Sequence, residues 1–305
     1  MGYDALVYGP LFCDVIFTGM DTFPTLGTEI FAQDLTIAIG GSAIIAAGLH
    51  RLGAKVGLIA DLGNDRFSRI AADLLDELGI DRTLIRQHDY PLPQLTVALS
   101  YPHDRAFITR FEKPTEPPDL KEILREHPSR HLHVCSFLAA YDALNAVEIA
   151  HGAGTTVSFD PGWDEDALKD ETIHRIAAEV DIFMPSRSEL CYMMGEDDTE
   201  TALQKALGRM SGGAIVMKNS AEGVLARSAT QSIAVPALPV TPIDTTGAGD
   251  AFDAGFIYGL VNDYSLEDCC RYGAVCGALA TTAVGGATGT PTHEEVKTWL
   301  SKLPS

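Results

Sequence analysis

Residues 244–252 read Asp-Thr-Thr-Gly-Ala-Gly-Asp-Ala-Phe, a carboxylate at the entrance of a helix directly after a turn of small residues. The apolar segment 251–261 predicts that helix, whose first N–H groups lack intrahelical partners and whose N-terminus carries about half a positive charge. Gly247, Ala248 and Gly249 let the backbone approach a ligand closely, so their amides form a candidate anion hole. Asp250 stands where a hydroxyl attacking a phosphoryl group would lose its proton, which makes it the candidate general base. As an isolated string, the same residues also describe a helix N-cap, Asp250, after an ordinary Thr245-Thr246 polar turn.

Composition removes several function classes. The formal charge of −20 argues against nucleic-acid and anionic-membrane partners, which need a clustered cationic face. No apolar stretch approaches the roughly 20 residues of a membrane span, and Met1 to Pro10 runs straight into a strand, so a soluble cytoplasmic protein is expected. The six cysteines form no C-x-x-C pair and read as reduced, packed thiols. His131 and His133 share a strand face, without a third ligand at metal-site spacing. A G-x-x-x-x-G-K-[ST] string is absent, and Gly9-Pro10 follows the first strand where a dinucleotide fold would show G-x-G-x-x-G.

Positioning these residues requires an alternating fold. Strand patterns at 3–9, 55–60, 133–136, 156–160, 181–184 and 214–218 alternate with helical patterns at 41–52, 66–78, 142–151, 166–178 and 200–210. That order predicts an α/β domain spanning 1–305, a mostly parallel central sheet flanked by helices. Residues 234–243 read as a strand-like approach to the Asp250 turn, and 265–282 and 292–300 as closing helices. Two segments, about 13–39 and 90–111, carry strands at 29–37, 95–100 and 106–110 without intervening helices, and so predict a small accessory sheet.

The Asp244–Phe252 string and the small-residue helix after it resemble the C-terminal motif of the ribokinase-like (PfkB) carbohydrate kinases. Asp14, Gly40-Gly41-Ser42, Leu52-Gly53-Ala54-Lys55-Val56 and Gly63-Asn64-Asp65 match the same family's N-terminal half. The resemblance implies ATP-dependent phosphorylation of a hydroxyl on a sugar-like acceptor, with Mg2+, and makes the accessory sheet a lid over the acceptor. It assigns Asp250 as base, Gly247, Ala248 and Gly249 as anion hole, and Asp14, Gly40, Gly41 and Ser42 to the acceptor. Lys218, Thr246, Gly286 and Ala287 fall on the nucleotide side. Glu189 would organise magnesium through water, and Asp244 and Thr246 match ligands of a potassium ion. A homodimer through the lid is a further expectation.

Two departures bear on specificity. Ile45 occupies the position of a family Asn that contacts acceptor hydroxyls, and Ser186-Arg187-Ser188-Glu189 replaces Asn-x-x-Glu. An apolar Ile45 facing the acceptor would disfavour ribose-like sugars. Two alternatives follow: a nucleoside kinase with Phe12, Phe17, Phe31 or Phe107 stacked on the base, or a non-catalytic metabolite-binding relative.

Overall fold

A computed structural model describes residues 2–101 and 105–303, so positions 102–104 of the expected 90–111 insertion lie outside the described residues. The chain starts with β1 (Tyr3–Tyr8) and passes through Gly9 and Pro10 into a separate sheet, β2 (Leu11–Thr18) and β3 (Asp34–Gly41). α1 (Ser42–Leu52), β4 (Val56–Leu62), α2 (Arg66–Glu77) and β5 (Ile85–Gln87) return it to the main body, and β6 (Gln94–Ser100) and β7 (Arg105–Phe111) complete the separate sheet. Next come α3 (Leu120–Glu126), β8 (Ser129–Cys135), α4 (Phe137–Gly152), β9 (Thr156–Asp160), α5 (Glu171–Glu179) and β10 (Ile182–Phe183). α6 (Arg187–Met194), α7 (Thr199–Leu207), β11 (Ala214–Lys218) and the hairpin β12 (Val224–Ser228) and β13 (Ser232–Val235) follow. Three helices close the chain: α8 (Ala248–Val261), α9 (Leu266–Ala280) and α10 (His293–Leu300).

The main sheet has the order β13-β12-β11-β10-β9-β8-β1-β4-β5 and is parallel from β11 to β5. The β11–β12 and β12–β13 pairings are antiparallel. Strands covered on both faces should be apolar at every position, and β4 is buried along its whole length. One face packs Leu6, Leu132, Val134 and Phe159 under α3–α7; the other packs Ala5, Val7, Leu58 and Val216 under α1, α2, α8 and α9. Among the described residues, no helix is long and apolar enough to cross a membrane.

The lid has the order β3-β2-β6-β7, with β2 and β6 parallel and the outer pairs antiparallel. Side chains alternate between its faces. Asp14 aligns with Ala38 and Thr96, and Thr96 with Thr109, so these share one face. Val15, Ile37, Val97 and Ile108 share the other.

Element types follow the sequence pattern more closely than element boundaries. The expected 234–243 strand stops at Val235, because Pro236, Pro239 and Pro242 remove ladder donors. The lid strand expected from Glu29 starts at Asp34. The 166–178 helix is split: a single 3-10 turn over Ala167–Lys169 precedes α5, which restarts where Asp170 caps the Thr172 amide. Helix α6 arises inside the Ser186–Glu189 string, because that string is a capping box.

Ile45 has no exposed surface and packs in α1 among Val7, Leu58 and Ile257. An amide there would be buried without an evident partner and would replace apolar contacts. Ile45→Asn is therefore expected to destabilise the protein by about 3 kcal/mol or more while leaving the ranking of acceptors unchanged. Denaturant melts and an acceptor panel on the folded fraction check this; a normal melt with a reordered panel would contradict it.

Candidate active site

The candidate residues meet at the C-terminal ends of the parallel strands, where open α/β sheets place ligands. Asp160 ends β9 and Lys218 ends β11. Asp250 projects from the first turn of α8, which starts at Ala248, three residues earlier than the sequence pattern suggests. Glycines press α8 into place. A side chain on Gly48 of α1 would approach Ala254 Cβ to 2.6 Å, and one on Gly255 would approach Cys276 Sγ of α9 to 2.7 Å.

The turn before α8 is held by a buried carboxylate. Asp244 Oδ1 accepts from the Thr246 amide (3.0 Å) and hydroxyl (2.8 Å), and its Oδ2 accepts from the Gly285 amide (3.0 Å). Gly247 adopts φ 70°, and a Cβ there would lie 2.8 Å from both Gly286 Cα and Ile44 Cδ1. Only glycine fits. Gly249 differs: an added Cβ would meet only Lys218 Nζ, at 3.8 Å, and otherwise open space. Of the three expected anion-hole amides, that of Ala248 turns back to the Thr245 carbonyl at 3.3 Å. The amides of Gly247, Gly249 and Asp250 donate to no protein acceptor among the described residues.

The acceptor-side residues divide. Asp14 is buried on the lid face that looks toward this turn, with its carboxyl oxygens in the space a Gly40 side chain would fill. Burial, and secondarily the Asp244 charge, push its pKa up to about 7. Gly41 takes φ 63° against the Pro10 carbonyl. Ser42 does not face a ligand: it is fully buried, and its hydroxyl donates to the Gly9 and Pro10 carbonyls at 3.1 and 2.9 Å. Its work is to fix the β1–β2 connection. Arg105, absent from the sequence reading, extends from β7 to the Thr245 hydroxyl and so ties the lid to the turn.

The nucleotide-side residues divide likewise. Thr246 is buried beside Asp244, and Gly286 abuts Gly247 with its carbonyl accepting from Thr290 Oγ1 at 3.1 Å. The Ala287 side chain packs into the core, so only its backbone could serve a ligand. Lys218 is a buried hub, not a solvated strand end. Its Nζ donates to Asp160 at 2.6 Å and to both oxygens of Asp253 at 3.1 and 3.2 Å. Asp253 also escaped the sequence reading, although its spacing of three from Asp250 places both on one face of a helix.

Glu189 Oε2 accepts from the Ser186 amide at 2.6 Å, and burial, then the neighbouring Asp160 charge, raise its pKa. Asp250 is largely buried at the edge of the cleft. Burial, then the charges of Asp160, Asp14 and Glu189, lift its pKa to about 7 against the pull of Lys218. A carboxylate poised near neutrality suits general-base work. The two strand histidines serve structure: His131 and His133 are fully buried, both bonded to Ser158 Oγ at 2.7 Å, and burial holds their pKa values at about 3.

A helix N-terminus with unpaired amides, a carboxyl in its first turn and a lid tied to the turn before it form a cleft suited to small-molecule phosphoryl transfer. A profile described as pfkB family carbohydrate kinase matches residues 13–293, and the chain belongs to that family. It is an ATP-dependent kinase acting on a hydroxyl of a sugar or sugar-like molecule. The chain is similar to a fructokinase of Klebsiella pneumoniae, 30% identical over 85% of this chain and 90% of the relative. It is also similar to a 2-dehydro-3-deoxygluconokinase of Bacillus subtilis, 28% identical over 86% of each chain. Its fold matches an E. coli chain described as a ribokinase II, solved with ATP and Mg2+, at a TM-score of 0.79 and 24% identity, covering 98% of this chain and 99% of that one.

The two turn glycines should separate experimentally. Gly247→Ala forces a strained, clashing backbone and is expected to cost more than about 1 kcal/mol. Gly249→Ala sits in a helix with room for the methyl, so stability should hold or rise by about 0.5 kcal/mol while turnover falls on the order of 10-fold, because the methyl enters the phosphate space. Melting curves paired with kcat for each variant check this; equal melting losses would contradict it.

Asp250 generates a pH prediction. As base it must be ionised, so kcat/KM should fall about tenfold per pH unit below roughly 7 and level off above. Because its folded pKa lies above the unfolded value, its contribution to stability is fully present below about pH 4 and lost as pH rises through 7. Asp250→Asn should therefore lose at least about 100-fold in turnover, yet melt higher than wild type at pH 8 and no higher at pH 4. Near-normal turnover in that variant would remove Asp250 from the chemistry.

Proposed function

We propose that Asp250 takes the proton of an acceptor hydroxyl as its oxygen attacks the γ-phosphorus of ATP, breaking the bond to ADP. The observation that carries this is the carboxyl with its pKa lifted to about 7 beside unpartnered amides. The amides of Gly247, Gly249 and Asp250 accept the charge of the transferring oxygens. Lys218 adds a cation from the nucleotide side. Asp14, backed by Gly40 and Gly41, holds the acceptor's other hydroxyls, and lid closure excludes water that would otherwise be phosphorylated.

Glu189, Asp160 and Asp250 present only hard oxygen donors, and no group of three potential ligands forms a cage among the described residues. That suits Mg2+ arriving on the nucleotide and keeping its waters, with Glu189 reached through one of them. When bound, the ion neutralises phosphate charge that this acidic cleft would repel. Potassium has a separate rationale. Asp244 is buried and makes no ion pair with a protein cation among the described residues, and the turn it holds stands against the 285–290 loop, the Thr246 carbonyl lying 3.0 Å from where a Gly286 side chain would start. A buried anion needs a counter-charge, which a monovalent cation between Asp244, Thr246 and the 286–290 loop would supply.

The acceptor is a monosaccharide or sugar acid. Asp14, Thr96 and Thr109 form a hydrogen-bonding row across the cleft face of the lid, with the two threonine hydroxyls 3.2 Å apart. The acceptors in the two relatives' names, fructose and 2-dehydro-3-deoxygluconate, are the first to try. A nucleoside is the second reading, favoured by Phe107, half-exposed one row further out on the same face. Phe17 lies on the opposite face, and Phe12 packs edge-on against Phe111 at 6.0 Å.

The outer lid face, with Leu35, Ile37 and Ile108 exposed by 50, 43 and 66%, suits a second copy of itself. Two such sheets can stack about a two-fold axis. Sedimentation should show a dimer that Ile108→Lys converts to monomer; a monomeric wild type would reject the contact.

An ADP-release screen over sugars, sugar acids and nucleosides, run in KCl and in tetramethylammonium chloride, tests the remainder. Turnover on a sugar or sugar acid, at least about 5-fold faster in KCl, is expected. Asp14→Ala should raise the acceptor KM about 10-fold or more and leave the KM for ATP within twofold. Equal rises in both KM values would place Asp14 outside acceptor recognition.

A further inference from the structure

Asp253 lies one helical turn beyond Asp250 in α8, has no exposed surface, and plays no part in the transfer described above. Both of its oxygens reach Lys218 Nζ, at 3.1 and 3.2 Å, while Asp160 Oδ2 takes the same ammonium at 2.6 Å. An ammonium has three donors and no acceptor, so contacts from β9 and α8 fix its direction as well as its place. That place borders the cleft, because a methyl on Gly249 would stand 3.8 Å from Nζ. The Gly249 amide, on the same residue, donates to no protein acceptor among the described residues.

We propose that Asp253 is a positioning residue for phosphoryl transfer: with Asp160 it holds the Lys218 ammonium beside the Gly249 amide, where charge on the transferring group gathers. The proposal rests on the assignment of Asp250 as base. A buried ion cluster is weak evidence for a stabilising role, whereas a charge fixed where transition-state charge develops acts on turnover. Asp253 acts through Lys218 alone, so its loss matters only while Lys218 is present.

The test is a double-mutant cycle of Asp253→Asn and Lys218→Met, with Asp250→Asn in the same assay. Asp253→Asn should lower kcat about 10-fold and Lys218→Met about 100-fold, each with the acceptor KM within twofold of wild type. The double variant should be no slower than Lys218→Met within a factor of about two, since coupled residues are not additive. Multiplying losses, or an unchanged kcat in Asp253→Asn, would overturn the proposal. Full activity in Asp250→Asn would instead overturn the assignment of the base. If either variant fails to fold, lysine side-chain NMR on the wild-type protein decides. The Lys218 ammonium resonance, assigned through Lys218→Arg, should shift when a non-hydrolysable ATP analogue and Mg2+ are added. An unmoved resonance would overturn the proposal.

Discussion

Like charges forced together at the end of a sheet govern this molecule. Asp14, Asp160, Glu189, Asp250 and Asp253 converge on one cleft, and a single buried ammonium, Lys218, stands among them. Carboxylates so close cannot all ionise without cost. Burial first, and after it like charge, from Asp244 on Asp14 and from Asp160, Asp14 and Glu189 on Asp250, pushes both up to about 7. What costs the empty protein stability is what would let Asp250, in the proposed role of base, take a proton near neutrality, and a magnesium nucleotide bound there would relieve the crowding.

The rest of the fold serves that convergence. Parallel strands bring Asp160 and Lys218 to the same edge although 58 residues separate them. Helix α8 must then arrive with its N-terminus at that edge, and the missing side chains of Gly48 and Gly255 let it lie close to α1 and α9. Asp244 locks the turn to the start of the 285–290 loop, so one carboxylate sets both borders of the proposed anion hole. The lid grows from the main sheet through Gly9 and Pro10, clamped by the Ser42 hydroxyl, and meets the turn again through Arg105. The residues proposed for the acceptor and those proposed for the phosphates thus belong to one connected framework.

Features carried by a contiguous string were legible in the sequence, and features assembled from distant strands were not. The 244–250 run encodes a turn and a helix start in adjacent residues, and the lid strands show in period-two alternation. The alternation of strands and helices was enough for the parallel sheet. The Asp160–Lys218–Asp253 cluster has no local signature, since strand-end lysines are usually solvated; the three-residue step from Asp250 to Asp253 was the one available hint. Motif matching also overreached. Ser42 and Ala287 sit inside strings that touch ligands, but tertiary packing turns the Ser42 hydroxyl to backbone carbonyls and the Ala287 methyl to the core. Ile45 is the same case, a motif position claimed by the interior.

The cysteines of α9 have a further use. Cys269, Cys270 and Cys276 are buried, with burial raising the pKa of Cys269 to about 12 and those of the other two further still. Cys276 Sγ fills the notch left by Gly255, directly behind the helix that carries Asp250. Such thiols are inert to alkylating reagents until the helices part. Their modification rate is therefore a clock for local opening of α8 against α9, readable without spectroscopy and without substrate. A ligand that bound the α8 N-terminus only while α8 and α9 stay packed would slow that clock as it occupied the site, turning a chemical label into a binding assay.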